Sequence, residues 1–312
     1  MNNGKKIVLI IATFLIVFGA FLFLLGFACT GFSFKKAFSK DLVEETYEIS
    51  QSFENISIDG NTQDIEFIKS TDGVTKVVTY EHKDLNYSVC VEGNTLKIGY
   101  EDERNFVEKY LTSDGFADKY IKVYLANDYY GSLEIDVDTA DTDIPKGFTF
   151  KNVKIDCSTG DVDFCADVID GVEISISTGD VEIENATLGS LKINGSTSDI
   201  ELDNVTVNGK IDINVSTGEV LFESAITAES IDIKARTGKV KCEGVLETNG
   251  VKVQTSTGDV TLKLVGETSD YNYSYNTSTG KSNIPAVTNQ NPDAKSIYVK
   301  TSTGDIDVYF IK

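Results

Sequence analysis

The chain has no tryptophan, one methionine, one histidine and three prolines in 312 residues. Its only arginines are Arg104 and Arg236. His82 has no nucleophile beside it in sequence, and no nucleophile elbow, P-loop or metalloprotease motif occurs. The commonest signatures of hydrolases and nucleotide-using enzymes are therefore missing. The five cysteines, at 29, 90, 157, 165 and 242, fall in no CxxC or Cys/His spacing, which speaks against zinc. Cys157 and Cys242 read as small core residues, and a Cys157–Cys165 bridge across a turn is open on spacing. Positive charge is scarce as well: 28 Lys and Arg face 49 Asp and Glu, for a formal net charge of −21. This argues against nucleic acid as a partner, which needs basic patches, and against charge-driven adsorption to anionic lipid. It favours solubility and attraction of cations or cationic peptides. No motif implies a small-molecule substrate.

What the sequence has in abundance is a repeat. Ser-Thr-Gly-Asp occurs at 158–161, 177–180, 256–259 and 302–305. Variants stand at 138–141, 196–199, 216–219, 236–239 and 278–281. The third position recurs at 160, 179, 198, 218, 238, 258, 280 and 304, a near-constant step of about twenty residues, which is the mark of a solenoid. Strict alternation flanks each tetrad, as in Val172/Ile174/Ile176 before 177–180 and Val181/Ile183 after it. Period two in β-branched residues means strands with one buried face. The glycine supplies the backbone freedom that a tight turn needs. Corner residues Leu188, Val205, Val207, Ile226 and Leu246 suggest a short third side.

The expected fold is thus all-β: a single-stranded β-solenoid of roughly 20-residue rungs, stacked about 4.8 Å apart. Nine turns from 140 to 304 would make a rod roughly 40 Å long. Residues 127–312 are the regular repeats, and residues 53–126 an irregular first part that covers one end of the stack. There Ile56/Ile58 and Ile65/Phe67 bracket a divergent rung, strands are expected at 74–82, 87–91, 95–100 and 120–125, and the charged stretch 101–118 is a helix or a loop. At the other end, the strand over 305–310 either presents an open edge or is covered by the tyrosine-bearing segment of Tyr271, Tyr273 and Tyr275.

Residues 7–28 form an uncharged apolar run, long enough to cross a bilayer core of about 30 Å as one N-terminal transmembrane helix. A cleavable signal peptide and a lipoprotein processed at Cys29 are the alternatives, the first with a shorter apolar core of about 7–15 residues. Residues 1–28 are then tail and membrane helix, and 29–52 a polar stalk. Lys35, Lys36 and Lys40 follow the span, but large domains translocate largely regardless of charge, so an extracytoplasmic β domain in a single-pass membrane protein is expected.

The order of parts resembles a bacterial family of membrane-anchored β-strand-repeat proteins known as "putative adhesins". The residues that carry the resemblance are Leu96-Lys97-Ile98, the strand over 120–125, Leu133-Glu134-Ile135 running into the Ser-Thr-Gly-Asp-Val units, and the closing Thr301-Ser302-Thr303-Gly304-Asp305-Ile306. It covers roughly residues 53–312 and implies a β-solenoid without known catalytic residues or a cofactor. The proline usual after the pre-solenoid strand is absent, since Ala126 and Asn127 follow Leu125.

The sharpest chemical feature is a carboxylate lattice. Asp141, Asp143, Asp161, Asp163, Asp180, Glu182, Asp199 and Glu201 all fall at outward positions of successive rungs. Two unit charges 4.8 Å apart in water repel by about 0.9 kcal/mol, so the pattern is costly. Oxygen ligands suit Ca²⁺ or another hard cation, which makes this a candidate metal-binding face. The alternatives are a solvated face with splayed side chains and turn aspartates that accept backbone N–H groups of their own turn. Lys234, Arg236, Lys239 and Lys241 form a local basic patch, expected to balance Glu219 and Asp259.

These features imply a non-enzymatic, membrane-anchored surface protein with an acidic side turned to a protein or envelope-polymer partner. An envelope-stress sensor acting through a membrane partner or cationic peptides is the second reading. A polysaccharide lyase of the β-helix type is the catalytic rival, but neither Arg104 nor Arg236 aligns beside the carboxylates.

Overall fold

A computed structural model of the chain describes residues 15–21, 24, 42–82, 85–102, 119–284 and 291–312. Residues 15–21 and Leu24 are helical. Among the described residues no helix is long and apolar enough to cross a membrane, and most of the expected 7–28 span lies outside them. So do Cys29, the lysines at 35, 36 and 40, and nearly all of the 101–118 stretch.

The described chain is all-β, a solenoid of about eight turns. Its first strands are β1 (Leu42–Ile49), β2 (Asn55–Gly60), β3 (Asp64–Lys69), β4 (Thr75–His82), β5 (Leu85–Glu92), β6 (Thr95–Asp102) and β7 (Tyr120–Leu125). Each regular rung then has a long strand before the Thr-Gly turn and a short one after it. The first rungs are β8 (Tyr129–Thr139) with β9 (Thr142–Ile144), β10 (Thr149–Thr159) with β11 (Val162–Phe164), and β12 (Asp167–Thr178) with β13 (Val181–Glu184). In the fourth, the long side is split into β14 (Thr187–Leu188) and β15 (Leu191–Thr197), followed by β16 (Ile200–Asp203). The series continues with β17 (Val205–Thr217) and β18 (Val220–Phe222), β19 (Ile226–Thr237) and β20 (Val240–Cys242), and β21 (Leu246–Thr257) and β22 (Val260–Val265). Last come β23 (Tyr271–Thr279), β24 (Lys295–Thr303) and β25 (Ile306–Ile311).

Rungs pair in parallel with residue-for-residue register. Ile155, Ile174, Ile193, Ile213, Ile233 and Val253 stand in one buried column. Val162, Val181, Ile200, Val220, Val240 and Val260 stand in another across the core. Phe150, Val168, Leu188 and Val207 line the expected third side, where β10 and β17 shift register as the chain bends. One rung alone cannot cover its apolar face, so rungs exist only in stacks, each covered by its two neighbours.

The turn glycines mark where the stack is tightest. Gly179 has φ +130°, and a Cβ there would lie 1.9 Å from the carbonyl oxygen of Gly160 in the preceding rung. One rung departs from this: Ser198 replaces the glycine, and Gly195 replaces the column residue that is Ile176 before it and Val215 after it. The two exchanges compensate. A Cβ at Gly195 would come within 3.1 Å of the Ser198 Cβ, so the buried Ser198 side chain fills the space that Gly195 leaves. At the corners, Asn185 and Asn204 take the left-handed conformation with φ near 50° and are joined by a 2.8 Å hydrogen bond from Asn204 Nδ2 to Asn185 Oδ1.

Three features differ from expectation. Part of the 29–52 stalk is strand: β1 pairs antiparallel with β4, which pairs antiparallel with β7. Tyr47 and Ile49 pack on the core, which is why this polar-looking segment is held in the domain. The divergent rung β2–β3 lies between β6/β7 and β8/β9, so the chain runs outward to build the end cap and returns. At the far end the stacking order departs from chain order. β24 and β25 lie directly on β21 and β22, and β23 lies outside β24. The reason is strand length: β22 offers six residues, and β25 pairs with all of them, whereas after β23 the chain soon meets Pro285, which has no N–H to give. The edge of β25 is covered in part. Ser282 bridges Ile306, the Asn283 amide brackets the backbone of Val308, and the rings of Tyr271 and Phe310 pack 5.3 Å apart.

Candidate functional site

The short strands bring the outward carboxylates into two kinds of column. At the turn, Asp141, Asp161, Asp180 and Asp199 are exposed, and each uses one oxygen structurally. Asp141 Oδ1 accepts the Asp161 N–H at 2.9 Å, Asp161 Oδ1 that of Asp180 at 2.8 Å, Asp180 Oδ1 that of Asp199 at 3.0 Å, and Asp199 Oδ1 that of Glu219 at 2.6 Å. Asp64 begins the ladder at the Asp141 N–H. The acceptor therefore serves the next rung rather than its own turn. The ladder lapses at Glu219 and Lys239 and resumes from Asp259 to Asp305 and from Asp305 to Lys281. These bonds give the fourth tetrad residue a folding role.

Two residues further on, Asp143, Asp163, Glu182 and Glu201 stand in register on β9, β11, β13 and β16. Glu66 on β3 extends this column, and its other neighbour Lys122 pairs with it at 3.0 Å. Past Glu201 the column meets Leu221 and then Lys241. Glu184 and Asp203, in register beside them, and Glu223 on the next rung add a further set of carboxylates. Four of these carboxyls are raised above the ordinary carboxylate range. Glu182 is pushed up to about 7, first by a hydrogen bond shared with Glu184, then by burial and by the charges of Glu184, Glu201 and Asp163. Burial chiefly raises Glu201, with a hydrogen bond shared with Glu223. Asp143 and Asp163 are likewise raised, by burial and then by neighbouring carboxylates.

A shallow groove of about 280 Å³ runs between the two sets of columns, lined by Asp180, Glu182, Asp199, Glu201, Glu219 and Leu221. Its carboxylates lie side by side along the stack. Among the described residues no group of three or more His, Cys, Asp or Glu side chains converges closely enough to hold a metal ion.

The long-strand side is organised differently. Lys154 meets Glu134, Lys192 meets Glu173 at 2.6 Å, and Lys252 meets Asp232 at 3.4 Å, each pair one rung apart. Acid and lysine alternate through Glu134, Lys154, Glu173 and Lys192, but Asp212 and Asp232 are neighbours that share Lys210, and Asp59, Asp136 and Asp156 stand in register with Lys154 on Asp156. The sequence-level basic patch is dispersed. Lys241 pairs with Glu243, Lys234 stands between Asn214 and Gln254, and Arg236 falls at the position of Ser216 and Ser256, away from the acidic columns. Lys239 does stack between Glu219 and Asp259. Cys90, Cys157, Cys165 and Cys242 are free thiols, so the Cys157–Cys165 bridge is not formed: Cys157 faces the core, where its thiol donates to the Ala140 carbonyl oxygen at 3.6 Å.

A family model for Toastrack DUF4097 matches residues 53–309, most of the chain. The chain belongs to the Toastrack DUF4097 family. The match takes in the end cap and the rungs from β8 on, stopping inside β25, so the described β domain apart from β1 and the last residues of β25 is the Toastrack unit. No curated protein matches this chain. Among solved structures it is similar to a "putative adhesin" from Parabacteroides distasonis, at 10% identity and TM-score 0.49, covering 86% of this chain and 97% of that one. A "putative lipid binding protein" from the same species gives 13% identity and TM-score 0.49, with 88% and 98% covered. A "putative adhesin" from Parabacteroides merdae gives 13% and 0.44, with 88% and 97% covered.

Sequence reasoning placed Asp143, Asp163, Glu182 and Glu201 in one column but missed Glu66, Glu184, Asp203 and Glu223. The alternation Ile65-Glu66-Phe67 carried the signal for Glu66. What it lacked was the knowledge that β3 stacks directly on β9.

Proposed function

We propose that this Toastrack chain is a non-enzymatic surface protein, single-pass in the cell membrane through residues 7–28, with its β domain outside the cytoplasm. The rod turns its short-strand side, with the unpaired carboxylate columns, toward a cationic protein segment or envelope polymer. The observation that carries this reading is the difference in lysine contacts between the sides. On the long strands each of three lysines is matched to an acid one rung away. On the short strands Asp143, Asp163, Glu182 and Glu201 follow one another without a cation between them. Two such carboxylates repel by about 0.9 kcal/mol when both are charged, and a cationic partner that covers them relieves that repulsion.

The test is capture of partners from detergent-solubilised membranes by the full chain. The variant Asp143→Asn/Asp163→Asn/Glu182→Gln/Glu201→Gln serves as the comparison, since it leaves the Asp ladder intact. The reading expects a partner held by the natural chain, released by salt and lost with the variant. Equal capture by both refutes the acidic contact. Protease treatment of intact cells tests the location, and a β domain that survives untouched until lysis refutes it. Calorimetric titration with Ca²⁺ tests whether the same side takes hard cations. Absence of heat and of any shift in melting at millimolar Ca²⁺ ends that possibility.

A further inference from the structure

Charge changes sign along the long-strand side. Nine strands lie in register there, from β2 through β8, β10, β12, β15, β17, β19 and β21 to β24. Four outward positions on each strand, as at 132, 134, 136 and 138, make up the side. On the strands before β15, the acids Asp59, Glu134, Asp136, Asp138, Asp156 and Glu173 stand against Lys154 alone. On the strands after it, Lys210, Lys234, Arg236, Lys252 and Lys300 stand against Asp212 and Asp232. In a chain of net charge −21, half of this side is therefore locally positive. Among the described residues, Lys234, Arg236 and Lys300 have no ion-pair partner, and neither have Asp59, Asp136 and Asp138. In the middle lies a shallow depression of about 430 Å³, flanked by Ser175, Asn194 and Asn214 and by Ser177, Ser196 and Ser216. None of these six side chains has a hydrogen-bond partner among the described residues.

We propose that this side is a contact between two copies of the chain, which lie antiparallel and face to face about a two-fold axis at Asn194. The occupant follows from charge, because the pattern is complementary to itself, as a two-fold contact requires. Reversing one copy sets its basic half on the acidic half of the other, whereas parallel copies would set like on like. With Asn194 on the axis, Asp156 faces Lys234 of the second copy, Asp59 faces Lys300, Glu134 faces Lys252 and Lys154 faces Asp232, each twice. The contacts of like charge are Glu173 with Asp212 and Lys192 with its own equivalent. All three groups are already paired within the chain. The side measures about 20 Å by 38 Å, or about 760 Å², close to the area that each partner gives up in a complex of standard size. The short-strand carboxylates lie across each core and point away from the contact. The pairing does not rest on the membrane reading. Where that reading holds, the two rods come from apposed membranes.

The test is sedimentation equilibrium of the full chain in neutral detergent over a range of concentration. A concentration-dependent dimer is expected. Lys234→Asp, which sets like charge against Asp156 of the second copy, is expected to weaken it at least tenfold. Lys234→Asp/Asp156→Lys exchanges the charges and is expected to restore it. Lys234→Asp/Asp307→Lys has the same net charge, but its second change lies on the short-strand side, and it is expected to stay weak. If Lys234→Asp loses its strand circular dichroism, Lys234→Gln replaces it and is still expected to weaken the dimer. A chain that stays monomeric at every concentration overturns the proposal. So does a dimer indifferent to Lys234, or an exchange that restores no more than the Asp307→Lys control. Flotation with vesicles reads the anchor separately, and its failure leaves the sedimentation result to decide the pairing.

Discussion

Replacing Glu182 by Gln probes the crowded carboxylates directly. Glu182 lies in register between Asp163 and Glu201 and shares a proton with Glu184, which lifts it from the ordinary 4.5 to about 7. Taken whole, that displacement corresponds to about 3 kcal/mol. The side chain is only partly buried, and solvent and salt screening reduce the effect to about 1 kcal/mol. The sign follows from linkage. A carboxyl whose folded value is raised binds more protons in the native state, so its stabilisation is complete below the unfolded value of 4.5. It fades as pH rises through about 7. The natural chain should thus lose stability between about pH 5 and pH 8. A glutamine side chain in its place carries no charge and can still donate to Glu184. At about pH 8 Glu182→Gln should be more stable by about 1 kcal/mol, a rise of about 2–4 °C in Tm, and at about pH 4.5 the two chains should melt together. Thermal unfolding followed by circular dichroism at several pH values reads this out. A natural chain that grows more stable from pH 5 to 8, or a variant advantage that persists undiminished in acid, would refute the reasoning.

Other outcomes follow from the same geometry. Gly179→Ala, whose Cβ would meet the Gly160 carbonyl oxygen at 1.9 Å, should cost about 3 kcal/mol or more, seen as a lower melting temperature. Asp180→Ala removes the acceptor for the Asp199 N–H and should cost about 1 kcal/mol, whereas Asp180→Asn keeps an amide oxygen there and should cost almost nothing in chemical denaturation. Ser198→Ala should stabilise by about 1 kcal/mol, because the buried Oγ has no hydrogen-bond partner among the described residues, and a destabilised variant would show that the hydroxyl is satisfied in solution.

Legibility in the sequence followed locality. The inward columns were readable because alternation and a period near twenty put equivalent residues in register whatever the neighbours do. The outward direction of Asp143, Asp163, Glu182 and Glu201 came from the same alternation. The turn aspartates were readable as exposed, but their hydrogen-bond partners were not. Those partners lie one rung away, and only the stacking offset decides whether an oxygen reaches its own turn or the next. The strand β1 was missed because its exposed face dominates its composition, while Tyr47 and Ile49, which tie it to the core, are only two of eight residues.

The sequence by itself determined that this chain is a β-solenoid, where its turns fall and which residues enter the core, because period and alternation are properties of the chain alone. Tertiary structure decided the order in which the terminal rungs stack and the neighbours that bring separate carboxylates together in one crowded column. Those depend on strand lengths matching across space, and a linear pattern does not record which of two equally suitable edges a strand will choose.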